Sequence, residues 1–334
     1  MAADQGNESA VITATAHYLP EKVVTNADLS AFVDTSDEWI RGRTGIGERR
    51  FLEGRPTSFM AIEVARKILD QKKLDPADID LIIVATITPD MFFPSTACLV
   101  QHEIGASKAW AYDLSAACSG FVYAVVAGAQ FIESGAHEKV LVIGADKMSA
   151  ILDMEDRNTC VLFGDGAGGV LLERSADPNT GLLDFELHAD GSGTECLHIK
   201  GGGSLNPATR ASVDNRLHYV RQEGRTVFKF AVTKMSEVSL SLMKRNEISG
   251  DDLKLFIPHQ ANQRIIHATG DRMKLPAEKV FSNIENYANT TAATIPIALS
   301  EANAQGRLDK GDLILLAAVG GGLTWGAALF KWES

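Results

Sequence analysis

Three side chains of this 334-residue chain stand where chemistry can be done: Cys118, His259 and Asn289. Cys118 sits in Ser115-Ala116-Ala117-Cys118-Ser119-Gly120, where an apolar strand over 109–114 turns into a helix expected to begin near Phe121. A thiol at a helix N-terminus feels the positive end of the macrodipole and nearby unpaired N–H groups, which favour thiolate. Ala117, Ser119 and Gly120 are small enough to let a carbonyl approach. The helix over 121–132 carries no charge and is apolar all round, so it is expected to be buried and to hold the thiol out of bulk water. A free cysteine by itself is more often a small core hydrophobe, so the reading depends on its companions.

His259 follows a strand expected over 253–257, with Pro258 expected to end the ladder. Of the eight histidines it has the clearest placement for chemistry. His17, His137 and His218 lie in polar or turn-like contexts that suit a solvated role, and His267 reads as a helix-face residue. Asn289, in Asn286-Tyr287-Ala288-Asn289-Thr290-Thr291, would in isolation be a helix N-cap. Its amide can equally donate to a substrate oxygen. Gly320-Gly321-Gly322 reads as a tight turn needing φ > 0, or as a place where a backbone N–H comes close to a ligand oxygen.

What positions these groups is a duplication. In the first half a helix over 61–71 leads through Asp75-Pro76-Ala77-Asp78 to a strand over 79–85. In the second, a helix over 232–244 leads through Ser249-Gly250-Asp251-Asp252 to the strand over 253–257. A strand–turn–helix follows in each half, over 112–132 and 280–302, then a strand (139–145 and 312–318), then a glycine-rich turn and a final strand (164–172 and 320–330). Matching elements lie roughly 173 residues apart, far longer than any solenoid period. An extra segment near 146–160 lengthens the first half, and 186–226 reads as a long loop excursion, a kind of loop that is usually functional or mobile. Alternating helices and strands imply largely parallel sheets covered by helices, in two halves, 1–175 and 176–334. Asn289 falls in the same strand–turn–helix junction as Cys118, and His259 just past a strand end. Related sheets side by side would therefore bring all three to one cleft.

Composition narrows the function. With 32 Lys and Arg against 43 Asp and Glu, the net charge of −11 argues against nucleic acid as a partner. Cys98, Cys118, Cys160 and Cys196 are widely spaced, which suits reduced thiols in a cytoplasmic protein. The pairs Cys98/His102 and Cys196/His198 offer two ligands each, too few for a metal site. The polar, acidic first eight residues are unlike a signal peptide. The uncharged stretch 313–330 approaches membrane-spanning length, but its glycine triplet makes it read as two buried strands, so no membrane span is expected.

Taken together and in order, these residues resemble β-ketoacyl-acyl-carrier-protein synthase III over about residues 10–332. The matching motifs are Ser36-Asp37-Glu38-Trp39-Ile40 with Arg43-Thr44-Gly45-Ile46, then 116–120, Phe163-Gly164-Asp165-Gly166-Ala167-Gly168, 258–262, 286–291 and 320–326. The resemblance implies an α/β, thiolase-like five-layer αβαβα fold built from two duplicated halves, and a homodimer. It implies a nucleophile at Cys118, an active-site histidine at His259, an asparagine at Asn289 and a second oxyanion-hole amide at Gly321. Coenzyme A would be met by Trp39, Arg43 and Arg157, and pantetheine by Asn262. Phe93 would be offered to the partner subunit's acyl pocket, Phe228 would line the tunnel, and Lys229 with Arg264 would receive the carrier protein. Val319 stands where an aromatic commonly precedes the glycine triplet, and Ala288 where glycine commonly precedes the asparagine; both bear on pocket shape and acyl preference.

The implied reaction loads Cys118 from an acyl-CoA, decarboxylates malonyl-acyl-carrier protein, and joins the two without a metal or redox cofactor. Backbone N–H groups of Cys118 and Gly321 would hold the first oxyanion, and a ring N–H of His259 with the Asn289 amide the second. A thiolase-fold acyltransferase or condensing enzyme of specialised metabolism is the alternative within enzymes, and a non-catalytic scaffold on the same fold the alternative outside them.

Overall fold

The computed structural model describes residues 8–334; the first seven residues, part of the stretch read as unlike a signal peptide, lie outside it. Two sheets carry the fold. In the first, β1 (Ser9–Tyr18), β2 (Leu81–Ala85), β3 (Trp110–Leu114), β4 (Lys139–Lys147) and β5 (Asp165–Ser175) run in the order β1-β5-β4-β2-β3. In the second, β6 (Gly181–Ala189), β7 (Leu253–Pro258), β8 (Leu313–Gly320) and β9 (Thr324–Lys331) run in the order β7-β8-β9-β6. The duplicated order is therefore real, and the sequence reading omitted its first member in each half, β1 and β6.

Strand alternation explains the layering. Leu81, Ile83 and Ala85 of β2 face a central core, while Ile82 and Val84 face an outer one. On β8, Ile314, Leu316 and Ala318 face the centre, and Leu315, Ala317 and Val319 face away. Between the sheets lie α4 (Gly120–Glu133) and α7 (Thr294–Ala304), whose side chains share one core with both sheets. Outside the first sheet pack α2 (Thr57–Lys72) and α3 (Thr96–Ile104); outside the second pack α5 (Gly224–Arg245) and α6 (Gln263–Arg272). The result is five layers, αβαβα, as expected. The stretch 313–330 is indeed two strands, β8 and β9, paired antiparallel across a glycine turn. Among the described residues no helix is long and apolar enough to cross a membrane.

Three local expectations need correction. Pro258 does not end its ladder: it pairs with Ala317, and His259 N–H goes on to bond Ala317 O at 2.8 Å. β7 is an edge strand, where a missing N–H on the outer side leaves the pairing intact. The strand expected near Val280 is a single bridge to Phe256, because the Gln260 side chain takes up the neighbouring groups, Phe281 O (3.2 Å) and Asn283 N–H (3.1 Å). The loop excursion is shorter than 186–226, since β6 runs to Ala189 and α5 begins at Gly224.

α1 (Asp37–Thr44) carries Trp39. It is capped by Ser36, whose hydroxyl accepts from Trp39 N–H, and stopped by Gly45 at φ 79°. The segment around it is fastened by the fully buried Arg49, which donates to Val24 O, Asn26 Oδ1 and Val161 O.

Candidate active site

Cys118 lies in a short 3₁₀ turn, Ala117–Ser119, directly before α4. Ala117 holds φ 47°, which bends the chain so that the thiol stands off the helix tip. Two cavities meet at this cysteine. The first, about 280 Å³, is lined by Trp39, Arg43, Phe228, His259, Asn262, Asn289 and Val319 as well as Cys118. The second, about 440 Å³, is lined by Ile87, Ala116, Cys118, Met148, Leu197, His198, Val220 and Gly321. The sequence-predicted trio thus faces one space, and Gly321 opens onto the other.

Asn289 is held on all sides. Its N–H bonds Leu162 O (3.0 Å), its carbonyl accepts from Gly164 N–H (3.1 Å), and its Oδ1 accepts from Thr291 N–H (2.8 Å). It is not the N-cap of α7; that position is held by Ala293, with no side-chain cap. With Oδ1 engaged, the NH₂ of Asn289 is left to donate into the cavity that Asn289 and Cys118 both line.

His259 is 2% exposed, and its Nδ1 lies 2.7 Å from the Thr294 hydroxyl. Burial drives its pKa down to about 3, so the ring is neutral and carries a single N–H. Burial also pushes the Cys118 thiol up to about 12, with the nearby Asp146 carboxylate adding to the effect; the cysteine's own N–H and the Asn289 amide oppose it. This corrects the expectation of a resting thiolate. The helix tip is outweighed by desolvation and a neighbouring negative charge, so the resting form is the thiol.

At the outer end of the first cavity, Trp39 is flanked by two guanidiniums, Arg43 at 4.6 Å and Arg157 at 4.8 Å from its ring centroid. Asn262 caps α6 and donates to Arg43 O at 3.1 Å, joining this end to the second half. Phe93 is 84% exposed and lines neither cavity. Lys229 and Arg264 are exposed on the packed helices α5 and α6, with Arg264 5.3 Å from the Phe228 ring centroid. His17, His137 and His218 are half-buried, and each bonds a protein group, Ser300, the Trp110 indole and Ser212 respectively.

Sequence reasoning missed Thr291 and Thr294, which bond Asn289 and His259, and Asp146, which bonds Thr291. Asp146 stands at the end of an apolar strand, where a carboxylate looks like an ordinary turn residue. Its full burial is the signal, and that needs coordinates.

Known proteins resemble this chain closely. Residues 112–191 match the family described as 3-oxoacyl-[acyl-carrier-protein (ACP)] synthase III, and residues 243–332 match its C-terminal region. The beta-ketoacyl-[acyl-carrier-protein] synthase III of Chlorobium chlorochromatii is 56% identical over 97% of this chain and 99% of that protein. That of Solibacter usitatus is 55% identical over 97% of this chain and 98% of its own length. The crystal structure of 3-oxoacyl-[acyl-carrier-protein] synthase III from Aquifex aeolicus, 48% identical, has a TM-score of 0.90 and covers 97% of this chain and 100% of that one. Identity at this level over the whole length, on the same five layers, means that the chain belongs to the β-ketoacyl-acyl-carrier-protein synthase III family.

Proposed function

We propose that this protein condenses a short acyl-CoA with malonyl-acyl-carrier protein, giving a β-ketoacyl-carrier protein, free CoA and CO₂, and so initiates fatty acid synthesis. The observation that carries this reading is the place of Cys118 at the junction of two cavities. One leads out past His259 and Asn289 to an arginine–tryptophan–arginine face suited to a nucleotide. The other is walled by apolar side chains suited to an acyl chain.

The acyl-CoA enters along Trp39, Arg43 and Arg157, with Asn262 beside the pantetheine arm. The Cys118 thiol attacks the thioester carbonyl while its proton passes to His259, the neutral base in the cavity. Backbone N–H groups of Cys118 and Gly321 hold the oxyanion. The C–S bond to CoA breaks, the thiolate takes the proton from His259, and CoA leaves. Malonyl-carrier protein then docks on Lys229 and Arg264. Its thioester oxygen, which becomes enolate-like as CO₂ departs, takes hydrogen bonds from Asn289 Nδ2 and from His259 through a ring N–H. The carbanion attacks the acyl group on Cys118 and frees the thiolate, which is reprotonated. No step calls for a metal or redox cofactor.

The working form is a cytoplasmic homodimer. Supporting this, β3 is an edge strand with Trp110 45% exposed, and Phe92 and Phe93, just before α3, are 82% and 84% exposed. The reading is tested by mixing purified protein with a panel of acyl-CoAs and malonyl-carrier protein, and measuring CO₂ and carrier-protein masses. Acyl transfer to the carrier without CO₂ release would replace condensation with plain acyl transfer.

A further inference from the structure

The two helix tips at the centre of the molecule are copies of one another. The 3₁₀ turns Ala117–Ser119 and Thr291–Ala293 each open with a residue in the left-handed region, Ala117 at φ 47° and Thr291 at φ 53°. In each, the third residue bonds back in the same way: Ser119 N–H to Ala116 O (3.2 Å), Ala293 N–H to Thr290 O (3.1 Å). Cys118 and Ala292 are therefore counterparts. Each tip is faced by a strand end from the other half, Gly320 of β8 at the first and Asp146 of β4 at the second.

The counterparts differ at one point. Asp146 Oδ2 accepts the Ala292 N–H at 3.2 Å and the Thr291 hydroxyl. Gly320 offers no side chain, and a Cβ there would meet Ala116 O at 2.6 Å and Cys118 N at 2.9 Å. Asp146 is fully buried, and its other oxygen accepts from Ile87 N–H (2.8 Å), Thr88 N–H (3.2 Å) and the hydroxyls of Thr86 (3.0 Å) and Thr88 (2.9 Å). Three backbone N–H groups that can only donate require an acceptor there.

We propose that Asp146 is a positioning residue of the active site: at the second helix tip its carboxylate fills the anion place whose twin, at the Cys118 N–H, Gly320 leaves open for the substrate oxyanion. The inference rests on Cys118 being the acyl acceptor. Two consequences follow from the bonds. By gripping Thr291, Asp146 fixes the N–H that orients Asn289, and the Thr291 carbonyl that accepts from Thr294 beside His259. It also sets a negative charge close to the thiol. The groups that line the two cavities around Cys118 include Arg43, His259 and His198 but no carboxylate, so Asp146 alone supplies that sign.

The test is Asp146→Asn, with Thr291→Val and Thr291→Ser beside it. Three readouts are taken: the pH profile of Cys118 alkylation by iodoacetamide, single-turnover loading from acyl-CoA, and condensation with malonyl-carrier protein. In Asp146→Asn the alkylation midpoint should move down by about one pH unit or more, since a negative charge is gone. Condensation should fall about ten- to a hundred-fold through misplacement of Asn289, while loading falls far less. Thr291→Val should lose condensation with its alkylation profile unmoved, and Thr291→Ser, which keeps the hydroxyl, should stay well above it. An unmoved midpoint in a folded Asp146→Asn, or equal losses in loading and condensation, would overturn the proposal. Should Asp146→Asn not fold, the Thr291 pair decides, and equal behaviour of Val and Ser overturns it. Wild-type protein that takes no acyl label on Cys118 would instead overturn the functional reading, and this inference with it.

Discussion

The Thr294 hydroxyl lies between two partners: His259 Nδ1 at 2.7 Å and the Thr291 carbonyl at 3.0 Å. It has one proton to give. Turned to Thr291 O, it accepts from Nδ1–H and leaves Nε2 a lone pair, the form that can take the thiol proton. Turned to Nδ1, it leaves Nε2 protonated, the form that can donate to a thioester oxygen. One buried hydroxyl thus selects which half-reaction the imidazole suits.

Thr294→Val should therefore separate the half-reactions. With no partner at Nδ1, a bare lone pair is less costly to bury than an orphan N–H, which fixes the Nε2–H form. Acyl loading, read as the burst of CoA, should drop by about tenfold or more, and decarboxylation by pre-acylated enzyme should drop less. Thr294→Ser should recover loading. Equal losses in both half-reactions for Val would show that Thr294 merely packs against the ring.

The low pKa of His259 makes a stability prediction with a definite sign. Its folded value is about 3 against an ordinary 6.5, so below pH 6.5 the unfolded chain binds a proton that the native one does not. Stability from this group is full above 6.5 and declines as pH falls toward 3. Relative to His259→Gln, the wild type should lose thermal midpoint progressively between those values. A constant gap between the two proteins across that window would mean the ring is charged in the folded state.

The convergence of Cys118, His259 and Asn289 was legible because apolar strands and their turns recur in order, and parallel strands end on the same side. What escaped had non-local causes. β1 and β6 are mixed in character, Ser-Ala-Val-Ile-Thr-Ala-Thr-Ala-His-Tyr and Gly-Leu-Leu-Asp-Phe-Glu-Leu-His-Ala, and owe their place to antiparallel partners far along the chain, β5 and β9. The thiolate expectation failed for a similar reason: helix-tip placement is local, whereas desolvation and the Asp146 charge come from the tertiary fold.

Ala288 holds φ 57° and ψ −157°, a region that glycine adopts freely and a Cβ resists. Its methyl is buried, so replacing it with glycine removes strain but also loses packing and frees the unfolded chain. Ala288→Gly should accordingly lie within about 1 kcal/mol of wild type. Ala288→Val, with a branched side chain in the same conformation, should be at least about 2 kcal/mol less stable. Denaturant unfolding measures both. A Val variant as stable as the Gly variant would mean the backbone relaxes there.

An enzyme of net charge −11 that receives an acidic carrier protein needs a local basic face. Several nearby cations are already engaged: Arg221 with Asp153 and Asp156, and Lys234 with Glu237. Lys229 and Arg264 are exposed and, among the described residues, have no carboxylate within 4.0 Å. They sit on neighbouring helices beside Phe228, a residue that lines the first cavity. The double variant Lys229→Glu, Arg264→Glu should therefore raise the KM for malonyl-carrier protein roughly tenfold, with a smaller effect as salt screens the charges. Loading from acyl-CoA should change little, because the nucleotide face is untouched. Steady-state condensation against carrier-protein concentration, beside single-turnover loading, separates the two. Unchanged carrier saturation would move the docking face elsewhere, and loss of loading as well would mean the cavity itself had been disturbed.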